Sequence, residues 1–137
     1  MEKHQAYFAL LARVLMAAGF LMFGYTKLFV FGAAGTAQYL GSVYHAPLPT
    51  VAAWVAIVIE ILGGLAILLG FKTRWAAAVL ALWCLFTGLG FHLPIGDAAN
   101  LSGLYKNLVM AGGFVYVLAY GPGSISVDHA MGGEKAA

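Results

Sequence analysis

Four long apolar runs organise the chain, at positions 7–31, 51–71, 75–93 and 104–120, with polar residues gathered between them and at their ends. Each run is near the length of about 20 residues that a helix needs to cross a bilayer core. The runs are continuously apolar, whereas a membrane-barrel strand alternates in polarity and is half as long. A helix satisfies every backbone amide inside lipid, so the pattern predicts an all-α membrane protein. The expected architecture is an antiparallel bundle of four transmembrane helices forming one domain over residues 1–137.

The connections predict how the helices are arranged. Only Lys72, Thr73 and Arg74 separate the second and third runs, which forces an antiparallel hairpin. The first connection, 32–50, is long for a compact bundle and carries Tyr39, Tyr44, His45, Pro47 and Pro49; it reads as a functional or mobile loop. The third, 94–103, carries Asp97 and Asn100. Lys72 and Arg74 mark the tight hairpin as cytoplasmic, Lys3 and Lys135 place both termini there, and the two longer loops carry no cation. Trp54, Trp75 and several tyrosines near run ends fit interfacial belts. Arg13, inside the first run, argues against a cleaved secretion signal and for an uncleaved first helix.

Composition removes other classes of protein. Hydrophobic residues make up 63% of the 137 and charged residues 9%, against roughly 25% charged in a soluble domain. With a mean hydropathy of +0.91, the apolar surface must face lipid. The net charge of +2 comes from dispersed cations rather than a basic stripe, so nucleic acid is not an expected partner. Cys84, the single cysteine, can form neither an internal disulfide nor a CxxC pair.

Arg13, Lys27, Glu60 and Lys106 fall within or at the edges of the runs. A charge at the bilayer centre costs about 2.5 to 3.5 kcal/mol on insertion scales, so each is a candidate functional residue. Glu60 lies ten residues into a 21-residue run, too deep for its short side chain to reach a headgroup layer; it must be neutral, hydrated or paired. Lys27 and Lys106 are the natural cations for it, and His92 closes the third run at the same level. For the lysines the alternative is snorkelling to the interface. Arg13 and Lys27, two heptads apart, share a helical face. Arg13 reads either as an inner-leaflet snorkeller or as a bundle-facing residue that pairs or holds an anion. Gly63 and Gly64 follow Glu60, and Gly112 and Gly113 follow Lys106 and Asn107, at spots where another backbone can approach closely. A bis-histidine haem needs a second inward imidazole, and only His45 is on the same side; with no metal-ligand spacing among the four histidines, neither haem nor metal is expected.

The run from Arg13 through Gly24-Tyr-Thr-Lys27, then Glu60-Ile-Leu-Gly-Gly through Lys72-Thr-Arg74, then Lys106-Asn107 with Gly112-Gly-Phe, Gly121-Pro-Gly and Asp128, resembles the DoxX family over nearly the whole chain. The resemblance implies a small four-helix protein of the bacterial inner membrane. Members include a subunit of a thiosulfate:quinone oxidoreductase and relatives linked to quinone stress or to thiol and oxidative-stress defence. The matching positions here are Arg13, Lys27, Glu60, Lys106 and Asn107.

Two functions are therefore expected to compete. In the first, the chain is a membrane subunit of a quinone-linked oxidoreductase whose cavity binds a quinone or small anion. Glu60 and Lys27 are then the catalytic pair, with His92, Lys106, Asn107 and Arg13 as ligand-binding residues and a second protein, or a further copy, as partner. In the second, it is a non-catalytic subunit that anchors a larger enzyme, its buried charges serving only to set helix register. Transport is a weaker fit, because four short helices leave little room for alternating gates.

Overall fold

Continuous apolarity gives helices that bury one stripe and leave the rest to lipid, and their ends fall where the backbone is forced to turn. The computed structural model describes residues 4–93 and 98–132. In order these form α1 (Gln5–Tyr25), a π-helical turn (Thr26–Val30), α2 (Gly32–Tyr44), α3 (Pro49–Leu69), α4 (Thr73–His92), α5 (Ala98–Tyr120) and the single turn α6 (Val127–Ala130). Four stretches are long and apolar enough to cross a membrane: Gln5–Val30, Pro49–Leu69, Thr73–His92 and Ala98–Tyr120. Leu15, Leu62, Leu82 and Val109 stand exposed on them, as side chains facing acyl tails should. Lys3, Lys135, Pro94 and Asp97, which entered the reading of orientation and of the third connection, lie outside the described residues.

The four predicted spans are present, with two differences in the connections. The first connection is not a loop: Gly32–Tyr44 is a helix, α2, whose Ala37 and Leu40 pack on Ala53 of α3. Its proline-bearing end and aromatic residues suggested irregular chain, but the small residues Ala33, Ala34, Ala37 and Gly41 allow a helix to lie close on its neighbour. α5 also begins earlier than expected, at Ala98 rather than near 104, because the polar stretch before the apolar run continues the same helix.

The bundle is built from two tight helix pairs, α1 with α3 and α4 with α5, while α2 rides on α3. One core joins all four spans near the α3–α4 turn, from Ala17 and Phe20 through Ile67, Leu80 and Cys84 to Phe114 and Val117. The small cluster under α2 lies at the other end. Between them, on the α2 side, the two helix pairs separate and leave a cavity.

The turn at the closed end is fastened by the chain beyond α5. Gly70 ends α3 with φ of 67°, and a side chain there would meet the Arg13 guanidinium. Asp128 accepts hydrogen bonds from the backbone N–H of Lys72 (2.7 Å) and Thr73 (2.9 Å) and from the Thr73 hydroxyl (2.7 Å). Its own N–H donates to the Gly70 carbonyl at 2.9 Å. The carboxylate thus caps α4 from 55 residues away in sequence and sits at the positive end of its dipole. Partial burial pushes the Asp128 carboxyl up, but the Thr73 and Lys72 hydrogen bonds and the Lys72 charge outweigh it and hold the group below its ordinary range.

A depressed carboxyl stabilises the fold above its unfolded value of about 3.9, and that contribution disappears as pH falls through the lower folded value. Asp128→Asn keeps a capping oxygen but removes the charge, and should lower stability by about 0.3 to 1 kcal/mol at pH 7, the worth of a carboxylate at a helix N-terminus. The gap to wild type should narrow as pH falls below the ordinary carboxyl range and close once the Asp128 carboxyl is protonated in the folded protein. Thermal melts of both proteins in detergent from pH 7 to pH 2.5 check this; a gap independent of pH would disprove the capping role.

Candidate functional site

The cavity is about 870 Å³ in volume and is walled mainly by aromatic and aliphatic side chains. Its charged groups, Lys27, Glu60 and Lys106, collect at the deep end, and helix geometry explains how each arrives there. On α1 the buried positions Arg13, Ala17, Phe20 and Gly24 form one stripe, and Lys27 continues it. The helix then widens into the π turn, where Phe31 N–H donates to the Thr26 carbonyl at 2.9 Å. Such turns are rare and concentrate at functional sites. The hydroxyl of buried Thr36 donates to the Lys27 carbonyl at 3.0 Å, so α2 holds the turn that carries the lysine. Gly24 brings α1 onto α3: a side chain there would be 2.5 Å from Ile61 Cγ1 and 3.4 Å from Glu60 Cβ.

Glu60 is 5% exposed and is paired as its depth requires. Lys27 Nζ lies 2.9 Å from Oε1 and 2.7 Å from Oε2, engaging both oxygens of the carboxylate. Trp83 Nε1 donates to Oε1 at 3.4 Å, adding α4 to the same group. The ammonium groups of Lys27 and Lys106 lie 5.7 Å and 5.2 Å from the centre of the Phe23 ring, which attracts both through its negative face. Three spans and the π turn therefore converge on one small region.

Of the six residues expected in the site, five line the cavity: Lys27, Glu60, His92, Lys106 and Asn107. Asn107 has its amide committed, donating to the Gly103 carbonyl at 2.9 Å, while its Oδ1 lies 3.2 Å from the Thr87 hydroxyl. It holds α5 to α4 more than it faces a ligand. His92 leans on Tyr44, with ring centres 6.3 Å apart, and its Nδ1 is buried without a hydrogen-bond partner.

Arg13, expected among the ligand-binding residues, is placed elsewhere. It shares a helical face with Lys27 as predicted, but fourteen residues along a helix separate them by about 21 Å. Its guanidinium is 1% exposed and donates to the carbonyls of Ile67 (3.5 Å) and Ile125. It is neither a snorkeller nor a neighbour of Glu60. Of the glycine pairs, Gly63, Gly64 and Gly113 admit close neighbours, Leu80, Leu21 and Met16, whereas Gly112 has nothing within 4 Å.

Sequence reasoning missed Trp83 and Phe23, and singled out Tyr39 and Tyr44 only as residues of a first connection read as functional or mobile. Trp83 was legible in principle: an indole N–H in mid-span needs a partner as much as a carboxylate does. Tyr39 and Tyr44 lie on α2, where no helix was expected. Their hydroxyls are 3.4 Å apart. Burial, with the Tyr39 hydrogen bond and the proximity of its phenol, pushes the Tyr44 hydroxyl up to about 12, so it stays a neutral donor at ordinary pH. Five rings then line one wall in succession: Trp83, Phe86, Phe91, Tyr44 and Tyr39, with centres 5.8, 6.1, 4.8 and 5.5 Å apart.

Comparison with known proteins agrees with this architecture. Residues 8–93 match the profile of the DoxX family. The Escherichia coli K12 inner membrane protein YphA is 38% identical over 124 residues, covering 87% of this chain and 86% of that protein. Inner membrane protein YqjF of the same organism is 36% identical over 131 residues, covering 96% and 97%. An uncharacterized Haemophilus influenzae protein is 28% identical over 145 residues, covering 94% of each chain. No solved structure matches the chain.

Proposed function

The chain belongs to the DoxX family and is a multi-pass inner-membrane protein, and from that premise we propose that it is the quinone-binding membrane subunit of an oxidoreductase system. The observation that carries the reading is the Glu60–Lys27 pair, bonded to Trp83, facing a large aromatic cavity at bilayer depth. Ligand pockets are mostly apolar, of about 300 to 1,000 Å³, with a few convergent polar groups that fix orientation. The cavity fits a flat ring of two carbonyls on each count.

The residues that would hold a quinone are Lys27 and Lys106 as donors to one carbonyl, the Trp83–Phe86 wall against the ring face, and the Tyr44 hydroxyl toward the mouth. Bound there, the quinone supplies two-electron chemistry, taking up two electrons from a donor protein and two protons to become the quinol. Lys27 polarises the oxygen it touches, and Glu60 beside it holds and returns a proton within hydrogen-bond reach of Lys27 Nζ. Phe20, Phe23 and Met110 keep water from the deep end. A small anion would use the same two ammonium groups.

The test is direct binding. In lipid nanodiscs, decylubiquinone should quench Trp83 emission saturably in a Trp54→Phe/Trp75→Phe background. Glu60→Gln should weaken binding by about tenfold or more, equivalent to 1.4 kcal/mol. Absence of saturable quenching, or binding unchanged in Glu60→Gln and Lys27→Met, would overturn the proposal. One feature favours the anchoring alternative: Lys27 already satisfies both Glu60 oxygens, as a pair that only sets helix register would. That alternative predicts a co-purifying enzyme whose activity survives replacement of both residues.

A further inference from the structure

Some residues that line the cavity between α3 and α4 are also exposed, and their position says how a ligand arrives. α3 and α4 are joined at the Gly70 turn and pack closely near it: a side chain on Gly63 would be 2.8 Å from Leu80 Cδ2. The Trp83–Glu60 bond bridges the same two helices one turn further on. Beyond that bridge the hairpin is open. Val55 and Phe86 are each about four turns from Gly70 and so lie at the same height on facing helices. Both line the cavity, and both are exposed, Val55 to 42% and Phe86 to 61%. Val51, one turn above Val55, also lines the cavity and is exposed to 57%.

These residues belong to stripes that face lipid. On α3 the exposed stripe is Val51, Val55, Val58 and Leu62, and on α4 it is Val79, Leu82, Phe86 and Leu89. Val55 and Phe86 each lie six residues inside the end of their helix, about 9 Å in, whereas half of a hydrocarbon core is about 15 Å. At that depth the slot opens onto acyl chains.

We infer that the slot between Val55 and Phe86 is a lateral portal, and that the ligand is a lipid-dissolved amphiphile whose oxygen-bearing head lies at Lys27 and Glu60 while its apolar tail leaves between α3 and α4 into the bilayer. This rests on the proposed quinone reading and narrows it to tailed, membrane-resident molecules. The physical expectation is particular. A tail that passes from lipid into a lipid-facing slot gains no hydrophobic free energy, because both surroundings are apolar. Measured per mole fraction in the membrane, tailed and tailless molecules with the same head should then bind the wild type alike. Discrimination should appear only when the slot is filled.

The probes are 2,3-dimethoxy-5-methyl-1,4-benzoquinone, which has no tail, and decylubiquinone, titrated into nanodiscs with Trp83 emission as readout. In Val55→Phe the tailed probe should weaken by about tenfold relative to the tailless one, the extra ring occupying the tail's path. Val51→Phe, one turn above on the same exposed, cavity-lining stripe, narrows the slot without adding a tryptophan and should do the same, so the test does not hang on one variant folding. Leu62→Phe, on the same exposed stripe but outside the cavity lining, should leave the ratio at its wild-type value. An unchanged ratio in both slot variants, with both probes binding, would overturn the portal and leave the head site standing. If neither probe binds the wild type, the quinone reading falls and the portal with it.

Discussion

Lys27→Met will destabilise the protein by about 3 to 5 kcal/mol, the cost of removing one partner from a buried ion pair and leaving the other uncompensated. Glu60 is 5% exposed and receives both Lys27 contacts and the Trp83 N–H. Without the ammonium group the carboxylate keeps a single long hydrogen bond in an apolar surround. Lys106 shares the Phe23 ring but bonds neither oxygen at hydrogen-bond distance, so it compensates only through space. The double variant Lys27→Met/Glu60→Gln removes both charges and should recover at least half of the loss, because replacing a complete buried pair by neutral groups is often close to free. Unfolding of the four proteins by sodium dodecyl sulfate, followed by helix content, gives the coupling energy as a double-mutant cycle. A single variant as stable as wild type, or a double variant whose loss equals the sum of the singles, would mean that the two residues do not act as a unit. The result also bears on function, since a carboxylate and an ammonium locked together at this depth are preorganised only if each depends on the other.

Much of this arrangement was legible from residue type and depth alone. Glu60 can only be paired or hydrated at its position, and that single constraint picks out Lys27 and Lys106 as the cations within reach on neighbouring helices. The four spans follow from continuous apolarity, and the three-residue turn at 72–74 sets the hairpin. α2 was not legible, because its helix is stabilised by lying on α3 rather than by its own sequence; Ala37 and Leu40 signal a packed face only once Ala53 is opposite them. The π turn was equally hidden. Nothing in Thr26–Val30 breaks an ordinary helix, and its geometry depends on the Thr36 hydroxyl from α2. Arg13 shows a different limit of pattern reading: periodicity places a residue on a face, but its height along the helix decides which neighbours it meets.

That height gives Arg13 a role separate from the cavity, with a second large effect attached to it. The guanidinium is buried between the last turn of α3 and the chain after α5, donating to the carbonyls of Ile67 and Ile125, with the Asp128 charge near it. The segment after α5, a strap across the closed end, is tied to α3 by Arg13 and Gly70 and to α4 by Asp128, while the N–H groups of Met131 and Gly132 donate within its last turn to Val127 and His129. Arg13→Met keeps the apolar stem and removes the donors, leaving the part-buried Ile125 carbonyl without its guanidinium partner at a cost of about 1 to 3 kcal/mol, while the Ile67 carbonyl keeps its bond from the Gly70 N–H. Relief of the buried charge offsets part of this, and the Asp128 carboxylate loses a nearby positive charge. The strap should open more easily by about 2 kcal/mol, which speeds its limited proteolysis roughly thirtyfold when cleavage samples the open state. Arg13→Lys should lie between the two, since one ammonium group cannot span both carbonyls as a planar fork does. Decylubiquinone binding at the far end of the bundle should stay within about twofold of wild type, as sites more than 10 Å apart with no shared partner act independently. Proteolysis no faster than wild type would disprove the clamp, and a large loss of quinone binding with the strap intact would return Arg13 to the ligand site.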